Sequence, residues 1–374
     1  MRTALVTESF LPHVNGVSNS VCRVLEHLER RGHEALLVAP GAGPESYAGA
    51  PVVRAASVPL PGYGQVRVGL AGALWFADVL RRHRPDVVYL ASPFVLGLSA
   101  AKAAERLHLP TVAVYQTDMA GFAERYHLGA ARRVVWRRIR EIHGRASLTL
   151  APSRPALRML VDNGVPRVAL WRRGVDGERF HPHHRDDALR RRLAPDGQVL
   201  VGYLGRLAPE KQLSDLSALS RLPGVRLVLI GDGPDRRRLQ SVLPEAAFLG
   251  FLSNEALSRA VASLDVAVHP GEHETFCQSV QEALVSGVPV VAVRAGGPTD
   301  LVRPGVNGEL YRPGDLSAFR QHVARLSHDA DHRMRLSEGA RPSVVARTWT
   351  SLGDDLIEHL HRVRHTGGRQ ALAA

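Results

Sequence analysis

The feature that most constrains the fold of this chain is the repeated alternation of short, mostly apolar runs with longer amphipathic segments. In the first half, strand-like runs of this kind occur at residues 2–7, 35–39, 86–90, 111–115 and 147–151. Unbroken apolar runs, as opposed to alternating apolar and polar residues, indicate strands that are buried on both faces of a parallel sheet. The pattern therefore predicts a doubly wound α/β fold with helices on both faces of the sheet.

A second series of apolar runs follows a polar, histidine-containing segment at residues 180–187. Its members lie at residues 198–203, 225–230, 265–269 and 288–293. Because 374 residues are many for a single hydrophobic core, we predict two Rossmann-like domains. The boundary is expected near residue 178, which gives an N-terminal domain of residues 1–177 and a C-terminal domain of residues 178–348.

The composition is that of an ordinary globular protein, since 45% of the residues are hydrophobic and 22% are charged. No apolar run approaches the roughly 20 residues of a membrane-spanning helix, so we expect a cytoplasmic protein. Cys22 and Cys277 lie far apart and match no metal-ligand spacing. They are expected to be free thiols in a reducing compartment.

The net charge of +12 is the unusual bulk property and indicates attraction to an anionic partner. Nucleic acid, an anionic membrane and a phosphorylated substrate would each satisfy it, and so would a simple compositional preference for arginine. The sequence has no zinc-finger, homeodomain or RNA-recognition signature, and its arginines are dispersed. We therefore expect no nucleic-acid partner.

Two carboxylates in the second half are candidate ligand contacts. A strand is predicted to end near Pro270 and a helix to begin near Cys277, which places Glu274 in the intervening loop and Glu282 in the second helical turn. From these positions the two acids can reach different hydroxyls of one elongated ligand, and the main-chain N–H groups at the helix start favour phosphate. The alternative is a solvated helix face with incidental acids.

Two cations occupy a similar position after another predicted strand. Arg206 and Lys211 follow the run that ends at Leu204, and a helix is predicted to start near Gln212. Ligands of open α/β sheets bind at the carboxyl ends of the strands, where this pair would suit a diphosphate. As a diphosphate leaves, it gains charge that the two cations would stabilise, although two ordinary surface cations remain the alternative.

Glycines close further strands at positions where a ligand could approach the main chain. Gly231 ends one strand of the second half, and Gly16 joins the first strand to a helix predicted near Ser18, where a plain turn glycine is equally consistent. The chain lacks a Gly-x4-Gly-Lys-Ser/Thr loop, and no Gly-x-Gly-x-x-Gly follows its first strand. These absences argue against a P-loop ATPase and against a dinucleotide-dependent oxidoreductase.

Further candidate residues are weaker. Asp118 follows the strand run 111–115 and either positions an acceptor hydroxyl or caps a helix. Histidines 181, 183 and 184 are close together in sequence, which suggests a metal site, but no carboxylate or cysteine follows at ligand spacing. We interpret them as part of a solvated linker and assign no metal.

The motifs, taken in order, resemble those of the retaining glycosyltransferase family 4, whose members have the GT-B fold. They cover nearly the whole chain, and within the family they most resemble bacterial GDP-mannose-dependent α-mannosyltransferases that act on lipid acceptors. The residues that carry the resemblance are Glu8–Val17, Leu170–Phe180, Gly205–Lys211, Gly231–Pro234, Glu274–Ala283 and Gly296–Pro298.

The resemblance implies two Rossmann-like domains facing across a cleft, with a final helix at about 349–364 crossing back to the N-terminal domain. It implies that Arg206 and Lys211 bind the donor diphosphate, that Glu274 contacts the sugar and that Glu282 holds the ribose. The remaining implied donor contacts are Gly16, Gly231, Thr275, Phe276, Cys277 and Gln278. Transfer with retention, without a cofactor or metal ion, is the implied chemistry.

On the acceptor side the candidates are Asp118, Gln116 and Arg67, together with the loop at residues 59–64, which contains Tyr63. Many relatives carry histidine where this chain has Gln116, and an amide can form hydrogen bonds but cannot carry a proton. The preferred acceptor is a glycolipid hydroxyl, and a soluble or natural-product acceptor with a UDP-sugar donor is the alternative. A sugar-nucleotide sensor is the alternative that is not an enzyme.

Two basic amphipathic segments, Arg81–Arg84 with the preceding apolar residues and Arg132–Arg140, suggest attachment to an anionic membrane surface. The inner face of the plasma membrane is the expected place for such attachment. The alternative is that Val135, Trp136 and Ile139 pack in the domain core while the arginines are solvated.

Overall fold

The computed structural model describes residues 1–13, 15–60, 63–118 and 129–371. The chain divides into two compact units, one formed by Met1–Arg172 with Trp349–Ala374 and the other by Arg173–Thr348. The division therefore falls between residues 172 and 173, slightly before the predicted boundary at residue 178.

The first unit is built on an eight-stranded sheet with the order β10-β9-β8-β7-β1-β2-β4-β3, which is parallel except for the short edge strand β3. A separate hairpin, β5-β6, lies outside this sheet. The strands are β1 Arg2–Thr7, β2 Glu34–Pro40, β3 Ser46–Tyr47, β4 Ala50–Ala55, β5 Ser57–Leu60, β6 Tyr63–Gly69, β7 Val87–Ala91, β8 Thr111–Val114, β9 Leu148–Ala151 and β10 Val168–Leu170. The helices are α1 Gly16–Arg30, α2 Ala73–His83, α3 Leu96–Arg106, α4 Gly129–Arg145, α5 Arg154–Asp162 and the C-terminal helix Trp349–Ala371.

Strand β1 shows why the apolar runs are unbroken. Leu5 belongs to one hydrophobic cluster, with side chains of α1 and the C-terminal helix, whereas Ala4 and Val6 belong to another, with side chains of α2 and α3. All three are at most 1% exposed. Because successive side chains of a strand point to opposite faces, a strand covered by helices on both sides must be apolar throughout.

The C-terminal helix completes the first unit. Leu352, Leu356 and Leu360 are buried in the cluster that contains α1. The indole N–H of the buried Trp171 donates to the carbonyl oxygen of Leu352 at 2.8 Å. The predicted final helix therefore belongs to the N-terminal unit and continues to Ala371.

The segment predicted as an acceptor loop at residues 59–64 is largely a β-hairpin. Strands β5 and β6 pair antiparallel, with Ser57 opposite Gly69 and Pro59 opposite Arg67. The run Val66-Arg-Val68 supplies the alternation typical of a strand, which the neighbouring prolines and glycines in the sequence obscured. Residues 61 and 62 and the side chain of Tyr63 lie outside the described part of the chain.

The second unit is built on a six-stranded parallel sheet with the order β13-β12-β11-β14-β15-β16. Its strands are β11 Val199–Leu204, β12 Val225–Ile230, β13 Ala247–Gly250, β14 Val266–His269, β15 Val290–Val293 and β16 Gly308–Tyr311. Its helices are α6 Asp187–Leu193, α7 Arg236–Val242, α8 Asn254–Ala262, α9 Gln278–Val285, α10 Pro298–Leu301, α11 Leu316–His328 and α12 Ala330–Ala340. The 3₁₀ segments are Pro182–His184, Pro209–Lys211, Leu213–Leu219 and Arg341–Ser343.

The helix predicted to begin near Gln212 is wrong in type. Two 3₁₀ segments flank Gln212, whose backbone is left-handed with φ of 53°. A left-handed residue interrupts a right-handed helix, so the chain turns sharply at Gln212 instead of continuing. This turn brings the side chain of Gln212 to a buried position, only 9% exposed.

The two basic segments are helical, and their apolar sides are largely internal. On α4, Trp136 and Ile139 are buried in a hydrophobic cluster, so for these two residues the alternative, packing in the domain core, is confirmed. On α2, Phe76 and Leu80 are buried, but Leu74 is 79% exposed. Among the described helices, none is long and apolar enough to cross a bilayer.

Candidate active site

The candidate residues of the second unit follow three strands that are neighbours in the sheet, in the order β12-β11-β14. Gly231 follows β12, Arg206 and Lys211 follow β11, and Glu274 follows β14. All three strands are parallel, so these residues lie at the same, carboxyl edge of the sheet. This is the edge at which open α/β sheets bind ligands.

Lys211 and Glu274 are in direct contact at this edge. The Nζ atom of Lys211 lies 2.5 Å from Oε1 of Glu274, although 63 residues separate them in sequence. The Nε2 atom of His269, at the end of β14, lies 3.1 Å from the same oxygen. The ring of His269 in turn stacks on Tyr203 of β11, with centroids 5.8 Å apart.

Burial and mutual attraction decide the charges of this group. Burial alone would raise the pKa of Glu274, but Lys211 and His269 outweigh it and hold that pKa at about 2. Burial would likewise favour a neutral imidazole, but Cys277 and Glu274 raise the pKa of His269 to about 9. Burial opposes the charge of Lys211 as well, yet Glu274 raises its pKa. Lys211 and His269 therefore favour the ionised form of Glu274, and the three side chains form one charge-paired group.

Arg206 is more open than its neighbours. Its side chain is 47% exposed, and its guanidinium lies 3.8 Å from Oε1 of the buried Glu210. The predicted pair of cations therefore consists of one exposed arginine and one largely buried lysine. The two follow the same strand, but among the described residues only Lys211 contacts one of the predicted acids.

The segment before α9 has a partly structural role that the sequence did not indicate. Phe276 and Cys277 are 4% and 5% exposed and belong to the hydrophobic core of the unit. The side-chain amide of Gln278 donates to the carbonyl oxygen of Gly174 at 3.1 Å, and Thr275 is also buried. The side chains of Phe276, Cys277 and Gln278 thus hold the loop, and the main chain is the part suited to meeting a ligand.

Glu282 lies in the second turn of α9, as predicted, and is partly buried. Burial raises its pKa to about 7, against the opposing effects of Arg179 and a hydrogen bond from Gln278. Removing a carboxylate from water without a close cation disfavours its ionised form. Glu282 therefore titrates near neutral pH, unlike Glu274.

The two candidate glycines differ in what surrounds them. A β-carbon at Gly231, where φ is +139°, would lie 1.9 Å from the carbonyl oxygen of Gly205, so packing between two loops already requires glycine there. At Gly16, the first residue of α1, a β-carbon would meet no atom within 4 Å. The local fold therefore does not require glycine at position 16.

The acceptor candidates belong to the first unit. Arg67 lines a cavity of about 70 Å³ together with Glu8, His13 and Asn15, and two of its nitrogens donate to Ser57 at 2.8 Å.

Asp118 is 8% exposed and accepts a hydrogen bond from the hydroxyl of Tyr115 at 3.1 Å. Gln116 is partly buried after β8. Because residues 119–128 lie outside the described ranges, the capping alternative for Asp118 is untested.

One acid of this cavity was missed by the sequence argument. Glu8 accepts hydrogen bonds from the main-chain N–H groups of Phe94 and Gly97, at 2.8 and 2.9 Å, at the start of α3. Burial raises the pKa of Glu8 despite these bonds. A glutamate immediately after a buried strand is the signal that would have found it.

Metal-ligand geometry occurs in one grouping of the described residues, formed by His269, Glu274 and Cys277, whose ligand atoms lie within 4.8 Å of one another. The ammonium of Lys211 contacts Oε1 of this glutamate, so a metal bound through that oxygen would lie beside a protein cation. The histidine segment forms a short 3₁₀ turn, in which His181 accepts from the N–H of His183. An Asp-x-Asp spacing exists at residues 329–331, but there Asp329 caps α12.

The fold is that of the GT-B glycosyltransferases. The crystal structure of Anabaena HepE in complex with UDP-glucose superposes with a TM-score of 0.77, covering 97% of this chain and 100% of that one at 22% identity. Sucrose-phosphate synthase from Thermosynechococcus elongatus superposes with a TM-score of 0.78, covering 98% and 99% at 18% identity. These similarities establish two-unit architecture of the same class.

Sequence comparison narrows the class to a family. Residues 14–179 match the model of Glycosyltransferase Family 4, and residues 185–342 match that of Glycosyl transferases group 1. The chain is 49% identical to the GDP-mannose-dependent alpha-mannosyltransferase of Mycolicibacterium smegmatis over the full length of both. The protein therefore belongs to glycosyltransferase family 4 and is a hexosyltransferase, as the sequence motifs predicted.

Proposed function

We propose that this enzyme transfers mannose from GDP-mannose, with retention of anomeric configuration, to a hydroxyl of a glycolipid at a membrane surface. The observation that carries the proposal is the contact between Lys211 and Glu274 at the carboxyl edge of the parallel sheet. It joins a diphosphate-binding cation to a sugar-binding acid. The named activity of the 49% identical mycobacterial relative supports the choice of donor.

We assign the donor to the second unit. Arg206 and Lys211 neutralise the diphosphate, and an ammonium that donates one hydrogen bond to Glu274 has two N–H groups left for phosphate oxygens. Glu274 accepts hydrogen bonds from the sugar hydroxyls, and Glu282 accepts them from the ribose. The main-chain N–H groups of residues 275–278, at the start of α9, suit the phosphates. Gly231 shapes the neighbouring loop, and Gly16 offers main chain to the donor.

In the proposed step, the bond between the anomeric carbon and the diphosphate oxygen breaks, and its electron pair stays on the diphosphate. The acceptor oxygen forms its bond to the same face of that carbon. Its proton passes to the departing phosphate, so no protein base and no metal ion is required. Arg206 and Lys211 stabilise the charge that develops on the leaving group.

The acceptor is assigned to the first unit, where Asp118 orients the attacking hydroxyl and Gln116 contributes a hydrogen bond. Arg67, with Tyr63 on the same hairpin, is assigned to the polar part of the acceptor. The cavity beside Arg67 supports this assignment. Ser57 holds the guanidinium of Arg67, and among the described residues no carboxylate lies within ion-pair distance of it.

Attachment to the membrane is proposed for the surface around α2. Leu70 and Leu74 are 61% and 79% exposed, and the cations Arg81, Arg82 and Arg84 follow on the same helix and its end. On α4, Trp136 and Ile139 are buried, so a contribution from this helix would come from its arginines and from Val134, which is 57% exposed. Sedimentation with anionic and neutral vesicles tests this, comparing wild type with Leu74→Asp. Equal sedimentation with both vesicle types would count against it.

The donor is tested by thermal shift with GDP, UDP and ADP and their sugar conjugates, because a ligand stabilises by the logarithm of its concentration over its dissociation constant. Transfer is tested with labelled GDP-mannose and either a bacterial lipid extract or a soluble aminocyclitol. We expect the protein to be stabilised selectively by GDP ligands, the mannose label to appear in the organic phase, and NMR to show an α-linked product. Label confined to the soluble acceptor, or selectivity for UDP, would support the alternative transferase.

A sensor would behave differently from both transferases. It would bind a nucleotide sugar without turnover in every acceptor mixture. For an enzyme, Glu274→Ala is expected to abolish transfer while GDP binding persists, because this acid contacts the sugar and not the nucleotide. A wild type that binds GDP-mannose but never releases GDP would favour the sensor.

A further inference from the structure

His269 has no role in the function proposed above, yet it is buried in the middle of the candidate site. Its side chain is only 3% exposed. His269 is the last residue of strand β14, and the loop that follows this strand contains Glu274. A buried histidine often serves only to fill the core. The contacts of this one indicate a more specific role.

Lys211 and His269 bind the same oxygen of Glu274. Both hydrogen bonds, of 2.5 and 3.1 Å, end on Oε1. The other oxygen, Oε2, accepts no hydrogen bond from the described residues, and the side chain is still 14% exposed. Two donors on one oxygen fix the direction of the carboxylate and leave its second oxygen available to a ligand.

We propose that His269 is a positioning residue, which together with Lys211 holds the carboxylate of Glu274 so that Oε2 faces the sugar of the donor. The inference rests on the proposed function of Glu274 and adds the residue that sets its orientation. His269 itself touches neither the sugar nor the diphosphate.

The surroundings of His269 hold its ring in one orientation. Tyr203 stacks on one side at 5.8 Å, and a β-carbon at Gly271 would lie 3.2 Å from Nε2, so the loop packs closely against the ring. The charged or titratable groups that face His269 are Glu274, Cys277 and, through Glu274, Lys211. Because an ionised carboxylate can only accept hydrogen bonds, Nε2 of His269 carries the hydrogen of its bond to Glu274.

The sequence contains a partial signal for this role. A histidine closes an otherwise apolar strand, Val266-Ala-Val-His269, five residues before Glu274. The carboxyl end of a buried parallel strand is where polar side chains enter a ligand site. The sequence alone does not show that the loop folds back to bring residues 269 and 274 together.

The test compares His269→Leu, which removes the donor, with His269→Gln, whose amide can donate at a similar reach without a charge. Affinities for GDP and for GDP-mannose are measured separately. His269→Leu is expected to weaken GDP-mannose binding about tenfold, the value of one charge-assisted hydrogen bond, and to leave GDP binding unchanged. His269→Gln is expected to recover most of the loss.

Two controls separate positioning from a general structural effect. His332→Leu removes another buried histidine that faces an acid of the same unit, Glu309 at 3.7 Å, and should lower the melting temperature without changing the ratio of the two affinities. In a Glu274→Ala background, His269→Leu should cause no further loss of GDP-mannose affinity, since a positioning residue acts only through its target.

Equal losses of GDP and GDP-mannose affinity in His269→Leu would overturn the proposal, and so would an undiminished effect in the Glu274→Ala background. If wild type binds neither GDP-mannose nor UDP-glucose, the proposed function itself fails. The two failures are therefore distinguishable.

Discussion

Gln212 and Glu272 exchange two hydrogen bonds between the loops that follow β11 and β14. The Nε2 atom of Gln212 donates to Oε1 of Glu272 at 3.0 Å, and the main-chain N–H of Glu272 donates to Oε1 of Gln212 at 2.8 Å. Gln212 is adjacent to Lys211 in sequence, and Glu272 lies two residues before Glu274. The pair therefore fixes the spacing of the two loops that this contact joins.

Replacing Gln212 by Ala should loosen both loops. The loss of two largely buried hydrogen bonds is expected to cost about 1–3 kcal/mol and to lower the melting temperature by several degrees. GDP-mannose affinity should fall as well, since Lys211 directly precedes Gln212 in the loosened loop. Calorimetry and titration with GDP-mannose measure the two effects. Gln321→Ala, which removes a glutamine exposed on α11, is the matched control, and an equal effect there would refute the explanation.

The raised pKa of Glu282 gives a pH dependence to donor binding. Burial moves this pKa from 4.5 to about 7, so the ionised form becomes dominant only above that pH. A carboxylate accepts ribose hydroxyls better than a neutral acid does, and affinity for the donor should therefore rise between pH 6 and 8. The same shift works against folding, since stability contributed by the protonated form is lost as pH rises from about 4.5 through 7.

This pH effect should be measured with GDP-mannose and not with GDP, because a terminal phosphate titrates near pH 6 and the sugar ester removes that group. Glu282→Gln should bind more weakly at pH 8 and show a flatter profile. A profile that keeps its slope in this variant would assign the titration to another group.

Much of the fold was predictable because both sheets are parallel and buried on both faces. The apolar runs at 35–39, 111–115 and 225–230 became β2, β8 and β12 with shifts of about one residue at their ends. Hydrophobicity alone set those elements. The turn at Gln212 and the β5–β6 hairpin were not predicted, because backbone handedness and the pairing of a short strand depend on neighbouring segments.

The site was predictable to the extent that ligand residues follow strand ends. Lys211, Glu274 and Glu282 lie where the pattern placed them, although their roles stay predictions. His269, Gln212 and Glu8 were missed because their importance lies in contacts with residues that are distant in sequence or separated by a turn. The side chains of Phe276 and Cys277 lie in the hydrophobic core, so their predicted contacts with the donor, which stay predictions, would come from the main chain.

Substitution by alanine should affect the melting temperature differently at the two candidate glycines. Gly16→Ala meets no neighbour within 4 Å and should leave the melting temperature unchanged, so any loss of activity would report on a ligand. Gly231→Ala would place a β-carbon 1.9 Å from the carbonyl oxygen of Gly205 and should lower the melting temperature by several degrees. Full activity in Gly16→Ala would remove Gly16 from the donor site.

Gly353 tests how closely the C-terminal helix packs on α1. Glycine to alanine inside a helix usually stabilises by up to about 1 kcal/mol, because alanine restricts the unfolded chain and has the higher helix propensity. At Gly353, however, a β-carbon would lie 2.4 Å from Cγ of His27 on α1, so the helix must shift. We expect Gly353→Ala to destabilise by about 1–3 kcal/mol, the usual cost of overpacking. Gly144→Ala, on α4 with no atom within 4 Å, should instead be neutral or stabilising. Denaturant unfolding of both variants measures the difference, and a stabilised Gly353→Ala would show that the two helices can separate without cost.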